Sequence, residues 1–200
     1  SERELPHLRG WRDSRPVRVG NGAWNQRQVD VYGELLDAAH RLFDRLNPDH
    51  PGATAWREFL VACADTAAVR WREPDQGIWE VRGQPRHFVH SKVMAWVAFD
   101  RAARMVERHG RDGPVERWRE QCAAVHSEVC ERGYDRERKT FTRSYGSRGL
   151  DAATLLIPSV GFLPADDERV VGTVEAIQRE LCRDGFVLRQ YPAPHALLAP

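Results

Sequence analysis

His90-Ser91-Lys92-Val93-Met94-Ala95-Trp96-Val97-Ala98-Phe99 decides the fold. The spacing predicts a helix over roughly 90–109, opened by His90-Ser91 and closed by Gly110. Between Val93 and Phe99 it is apolar nearly all round, and a helix apolar on every side must be surrounded by other elements. Its sequence neighbours are one-sided. Roughly 54–71 carries a single stripe of Trp56, Phe59, Leu60, Cys63 and Ala67. A helix starting near Pro114 carries Val115, Trp118, Cys122, Val125 and Val129 against a charged opposite face.

Further out the pattern repeats. Val29, Tyr32, Leu35, Leu36, Ala39, Leu42, Phe43 and Leu46 recur at helical spacing until Asn47-Pro48 ends the run. Leu150–Ile157 is a short apolar run that Pro158 is expected to stop. Roughly 167–183 is one-sided again, through Val170, Val174, Ile177 and Leu181. Strand-like alternation is confined to pieces such as Thr140–Ser144 and Gly185–Arg189. The chain reads as all-α.

Long polar loops with glycines precede the first, third and fifth helices, at Arg18–Gln26, Asp75–His90 and Thr142–Gly149. Loop, inner helix and outer helix thus recur three times at roughly 60-residue spacing. Antiparallel pairs of this kind stack into α/α toroids or superhelical arrays. The long loops would gather at one end, where a rigid scaffold can present a ligand site.

Composition narrows the partners. Thirty basic against twenty-nine acidic side chains, with no basic tract, argue against nucleic acid or anionic membranes. No apolar run approaches the roughly 20 residues of a membrane span. Ser1-Glu2-Arg3-Glu4-Leu5 shows no apolar signal-peptide stretch. Cys63, Cys122, Cys130 and Cys182 lie far apart and read as mid-helix apolar side chains, which fits a reducing, cytoplasmic setting.

The candidate chemistry centres on Pro74-Asp75-Gln76-Gly77-Ile78-Trp79-Glu80-Val81-Arg82-Gly83. A carboxylate beside a large aromatic can have its pKa raised by an apolar wall, as a general acid requires. Arg82 is close enough to bind a sugar hydroxyl or to bias the ionisation of Glu80. Taken as a bare Trp-Glu dipeptide, an exposed loop glutamate paired with Arg82 or Arg86 is the default. Asp75 suits substrate binding, Asp151 an N-cap or first-turn position, and Asp30 a structural role or a pair with Arg27. His87 and His90 read as capping or stacking residues, since no carboxylate completes a metal triad. Val19-Gly20-Asn21-Gly22-Ala23 lacks a nucleotide fingerprint, and Tyr145-Gly146-Ser147 lacks a serine-nucleophile pattern.

Several of these stretches together resemble bacterial family 15 glycoside hydrolases, the glucoamylase and trehalase group. They are Pro16-Val-Arg-Val-Gly-Asn-Gly-Ala-Trp-Asn-Gln-Arg-Gln-Val-Asp-Val-Tyr-Gly33, Gly77-Ile-Trp-Glu-Val-Arg-Gly83, His87-Phe88 and Ser91-Lys-Val-Met-Ala-Trp96. Ser144-Tyr-Gly-Ser147, Leu150-Asp-Ala152 and Gly161-Phe-Leu-Pro164 complete the match, which runs through about residue 189 in the family's order. The resemblance implies an (α/α)6 barrel of inner and outer helices, cleaving α-glucosidic bonds with inversion and without metal or organic cofactor. The family's general acid falls on Glu80. Trp79 and Arg82 fall where the family lines its glucose pocket, and Asn21, Gln26 and Tyr145 on its pocket side. Fungal relatives often carry a second Glu after the acid; Val81 stands there, as in the bacterial branch.

The departures from the family are equally specific. Its Trp-Leu-Arg-Asp-like motif, which binds the non-reducing glucose, is missing; Gly10-Trp11-Arg12-Asp13 shares three letters but precedes the first inner helix. Its Glu-rich loop bearing the general base is missing as well, and Tyr191–Pro200 does not look like the family's continuation. The expected reading is a partial catalytic domain across 1–200. It has a lead-in linker at 1–17, helical pairs at 18–189 and an atypical tail at 190–200, covering the third to eighth helices of twelve. Such a piece is expected to be inactive alone and to self-associate through open barrel faces. The rival reading is a non-catalytic sugar-binding or scaffold remnant. A helical terpene cyclase is a poorer fit, because its Asp-rich metal motif is missing.

Overall fold

The computed structural model describes residues 2–43, 53–81, 83–108 and 113–189. Six helices carry these residues: α1 (Val31–Phe43), α2 (Ala53–Arg70), α3 (Val89–Arg108), α4 (Val115–Arg132), α5 (Leu156–Ser159) and α6 (Glu168–Leu181). Four of the six lie within about two residues of their sequence-based limits, the usual uncertainty of helix ends. Leu46 and Asn47-Pro48 lie outside the described residues, as does the 190–200 tail. Among the described residues no helix is long and apolar enough to cross a membrane.

α3 is the centre. Its apolar circumference is met by α1, α2 and α4, and Val93, Ala95, Val97, Ala98 and Phe99 are all but completely enclosed. Gly33 lets α1 approach: a Cβ there would stand 2.1 Å from the Met94 carbonyl oxygen on α3. Two of the polar groups enclosed on α3 are bonded to other segments. Lys92 Nζ donates to the carbonyls of Trp71 and Glu73 beyond the end of α2, the second at 2.7 Å. A cation suits that end of a helix, whose last carbonyls lack partners. Arg101 joins three segments, with Nε on Asp37 Oδ1 of α1 at 2.8 Å and Nη2 on the Val160 carbonyl at 2.9 Å.

α2, α4 and α6 each bury one stripe. Leu60, Cys63, Ala64 and Ala67 of α2 face the core, as do Trp118, Val125 and Val129 of α4. Ala176, Ile177 and Leu181 of α6 pack on Leu150. Three expectations need correction. Trp56 and Phe59 share the α2 stripe but are solvent-exposed, packed edge to face on each other. The fifth helix is a 3₁₀ turn over Ala152–Leu155 that runs into α5, and Pro158 lies inside it. Its missing N–H costs nothing in a first turn, so it does not terminate the helix. Cys182 follows α6 in a short strand; all four cysteines are free.

Three two-stranded antiparallel ladders trim the helices. β1 (Arg3–Glu4) pairs with β2 (Arg18–Val19), β3 (Tyr134–Asp135) with β4 (Thr140–Phe141), and β5 (Cys182–Arg183) with β6 (Phe186–Val187). The middle ladder is clamped onto α6, where Thr173 Oγ1 accepts the Phe141 N–H at 2.9 Å.

Candidate active site

The loops before α1, α3 and the 3₁₀ turn do meet at one end. The first and second are joined by backbone and side chains. The Gln76 N–H donates to the Arg27 carbonyl at 3.1 Å, and the Arg27 N–H donates to Gln76 Oε1 at 3.0 Å. The Val29 N–H donates to Asp75 Oδ2 at 3.0 Å. The second and third are joined by a bridge between Phe88 and Ser144, and by the Val89 N–H on the Arg143 carbonyl at 3.1 Å.

Glu80 lies in this convergence. Gly77 begins its turn with φ of 67°, and a Cβ there would also stand 2.9 Å from the Phe88 ring. Both facts require glycine. The Glu80 N–H donates back to the Gly77 carbonyl at 3.2 Å. Glu80 itself adopts φ of 49°, a left-handed conformation that costs a non-glycine residue about 1–3 kcal/mol and clusters at functional sites. Its side chain is exposed. Gln26 of the first loop grips the strained peptide from one side, with Nε2 on the carbonyls of Glu80 at 3.4 Å and Val81 at 3.2 Å.

Trp79 is half-buried, and its indole N–H donates to both oxygens of Asp151, at 2.9 and 3.0 Å. Asp151 is buried and also N-caps the 3₁₀ turn through the Ala153 N–H. Arg189 approaches the Trp79 ring at 5.6 Å, and its carbonyl accepts the Ala152 N–H. Neither Asp151 as the acceptor for Trp79 nor Arg189 carries a local sequence signal, because both contacts span long stretches of chain.

The remaining candidates differ in their settings. Asn21 is exposed and shapes its own loop, Oδ1 accepting the Ala23 N–H at 2.8 Å. Tyr145 stacks on His87 with centroids 5.7 Å apart, under the Arg132 guanidinium at 4.7 Å. Burial pushes the Tyr145 phenol well above its ordinary range. Arg82 lies outside the described residues. Asp75 is fully enclosed and occupied with Val29, so it does not reach a ligand.

Beneath the loops sits a buried titratable pair. Asp30 Oδ2 is 4.0 Å from His90 Nδ1, with both residues almost wholly enclosed. Asp30 does not pair with Arg27, which bonds Glu73 instead. Burial, then the Asp75 and Glu34 charges, push the Asp30 carboxyl up to about 6. Burial holds His90 down at about 4. Among the described residues no group of three or more His, Cys, Asp or Glu is arranged to hold a metal.

Helical pairs with loops gathered at one end define the architecture of (α/α)6-barrel glycosidases. A glycosidase variant solved in complex with glucose superposes with a TM-score of 0.70 at 20% identity, over 89% of this chain and 48% of that one. Residues 1–196 match the family described as glycosyl hydrolases family 15, and the chain belongs to that family. It is 47% identical over 188 residues to a trehalase of Mycobacterium tuberculosis, covering 94% of this chain and 27% of the relative. With a trehalase of Thermoplasma volcanium the identity is 37% over 190 residues, covering 95% and 30%. The chain thus spans less than a third of the length of these curated relatives.

Proposed function

We propose that this chain carries the general acid of an inverting, exo-acting α-glucosidase, with trehalose as the foremost substrate. The observation that carries the reading is the setting of Glu80. An exposed carboxyl sits on a strained turn, where three loops converge and two of them supply side chains that hold it. Family membership and the trehalase names of the relatives support the same chemistry.

Glu80, protonated, would donate its proton to the glycosidic oxygen as the bond to the sugar breaks. A second carboxylate would take a proton from water attacking the opposite face, which in inverting enzymes requires a separation of about 6.5–9.5 Å. Asp75 and Asp151 are bonded within the protein, and Asp30 is enclosed beside His90. We place the base in a part of the whole enzyme beyond this chain, which spans less than a third of its curated relatives, so the 200-residue chain alone should not turn over substrate. Trp79, Arg82, Asn21, Gln26 and Tyr145 form the sugar-facing set or shape it.

The test is turnover of trehalose, maltose and isomaltose by the whole enzyme containing this chain. Glu80→Gln should lower kcat by about 10²–10⁴-fold, the usual share of general acid catalysis. The attacked ring should appear first as β-glucose by NMR. Undiminished turnover in the variant, or release of that ring as α-glucose, rejects the assignment. Trp79-dependent glucose binding by an intact enzyme that hydrolyses none of these sugars would favour a sugar-binding remnant.

A further inference from the structure

Glu80 and the residue before it are held from two different loops. From the first loop, Gln26 Nε2 bonds the Glu80 and Val81 carbonyls. From the third, Asp151 accepts the Trp79 indole N–H on both carboxylate oxygens, across 72 residues of chain. Asp151 is 3% exposed, and its Oδ1 is fixed in turn by the Ala153 N–H at 2.9 Å. An indole has one donor and no acceptor. That donor is already used within the protein, so Trp79 has no polar group left to offer a sugar. Its hydrogen bond instead ties the strained turn to the rigid start of the 3₁₀ turn.

We propose that Asp151 is a positioning residue, which through the Trp79 indole fixes the left-handed backbone that presents the Glu80 carboxyl. Its importance for chemistry rests on the reading of Glu80 as the acid; the tether does not. A plain N-cap would explain the Ala153 bond and the burial, but it would not require a carboxylate long enough to reach Trp79.

Serine separates the two roles. It caps a helix as well as aspartate does, and it is too short to span to the indole. In the 200-residue chain labelled with ¹⁵N, the Trp79 indole resonance is assigned by its loss in Trp79→Phe, and hydrogen exchange is followed at three protons. In Asp151→Ser the Trp79 indole and the Glu80 amide should both exchange at least about tenfold faster, the equivalent of one charge-assisted hydrogen bond. The Ala153 amide should stay within about twofold of the parent.

Unchanged indole exchange in Asp151→Ser would overturn the tether. Faster indole exchange with an unchanged Glu80 amide would overturn the positioning role. Should the serine variant fail to fold, Asp151→Asn decides. Its amide oxygen still reaches the indole, so the indole should stay protected; an indole that exchanges as fast as one free in solvent overturns the tether. None of these readouts involves turnover, so an error in the reading of Glu80 shows separately, as an active Glu80→Gln enzyme.

Discussion

α3 and α2 are nearly equal in length, 20 and 18 residues, and both carry aromatic and aliphatic side chains, yet they end in opposite environments. α3 is enclosed so completely that His90, Ser91, Lys92 and Arg101 are buried with its apolar residues. α2 encloses one stripe and leaves Trp56 56% and Phe59 47% exposed. Position in the layering, rather than composition, sets the energetic weight of a residue here. Each polar group that α3 takes inside must find a partner or titrate abnormally.

The strongest way to break this contrast is to delete the same side chain from both helices. Phe99→Ala should destabilise by about 3–5 kcal/mol, because Phe99 is fully enclosed and leaves a cavity. Phe59→Ala, half in water and touching mainly Trp56, should cost under about 1 kcal/mol. Urea denaturation of both variants beside the parent measures the difference. Equal losses would mean that Phe59 is covered in solution and would break the contrast between the two helices.

This contrast also shows what was legible in the sequence. The run from Val93 to Phe99 announces burial on all sides, and the polar loops before alternate helices announce a common end. Periodicity identifies the α2 stripe too, but it cannot say how far along the helix a neighbour extends, so Trp56 and Phe59 read as core. Pro158 misled because a proline is tolerated in the first turn of a helix, and α5 begins only at Leu156. At the site, Trp79-Glu80 stands out locally. The Trp79–Asp151 bond and the approach of Arg189 are products of folding, with no signature in either segment. Asp30 was readable as structural, but not as the neighbour of His90, since that contact requires α1 and α3 to be in place.

The enclosure by α3 can be sharpened through pH. Asp30 is raised to about 6 in the folded state, so between its ordinary value near 3.8 and 6 the folded chain binds the proton the unfolded chain has released. Stability from this group therefore falls as pH rises through that window. His90, held at about 4 against an ordinary 6.5, acts in the other direction: the unfolded chain binds the extra proton, and stability rises with pH from 4 to 6.5. The two oppose each other in the parent. Asp30→Asn removes the first and keeps an acceptor of the same size. Its stability should climb between about pH 4 and 6.5, and at pH 7 exceed the parent's by about 1–3 kcal/mol. Denaturant midpoints at pH 4.5 and pH 7 test this; a variant that parallels the parent would show that Asp30 is solvated.

The smallest expected effect probes the other side of the contrast. Val31, Leu35 and Leu42 are exposed along one face of α1, and Trp56 and Phe59 along α2. Large apolar side chains gathered in solvent mark contact surfaces, so the 200-residue chain should bind an apolar dye and associate as its concentration rises. Leu35→Gln with Trp56→Gln should change unfolding free energy by only about 0.5 kcal/mol, since neither side chain fills the core. Dye fluorescence and the sedimentation-average mass should nonetheless fall together. If stability drops by as much as in Phe99→Ala while dye binding stays constant, the residues are core in solution and α2 resembles α3 after all. If both quantities behave as expected, exposure here is a surface property separable from the stability of the fold.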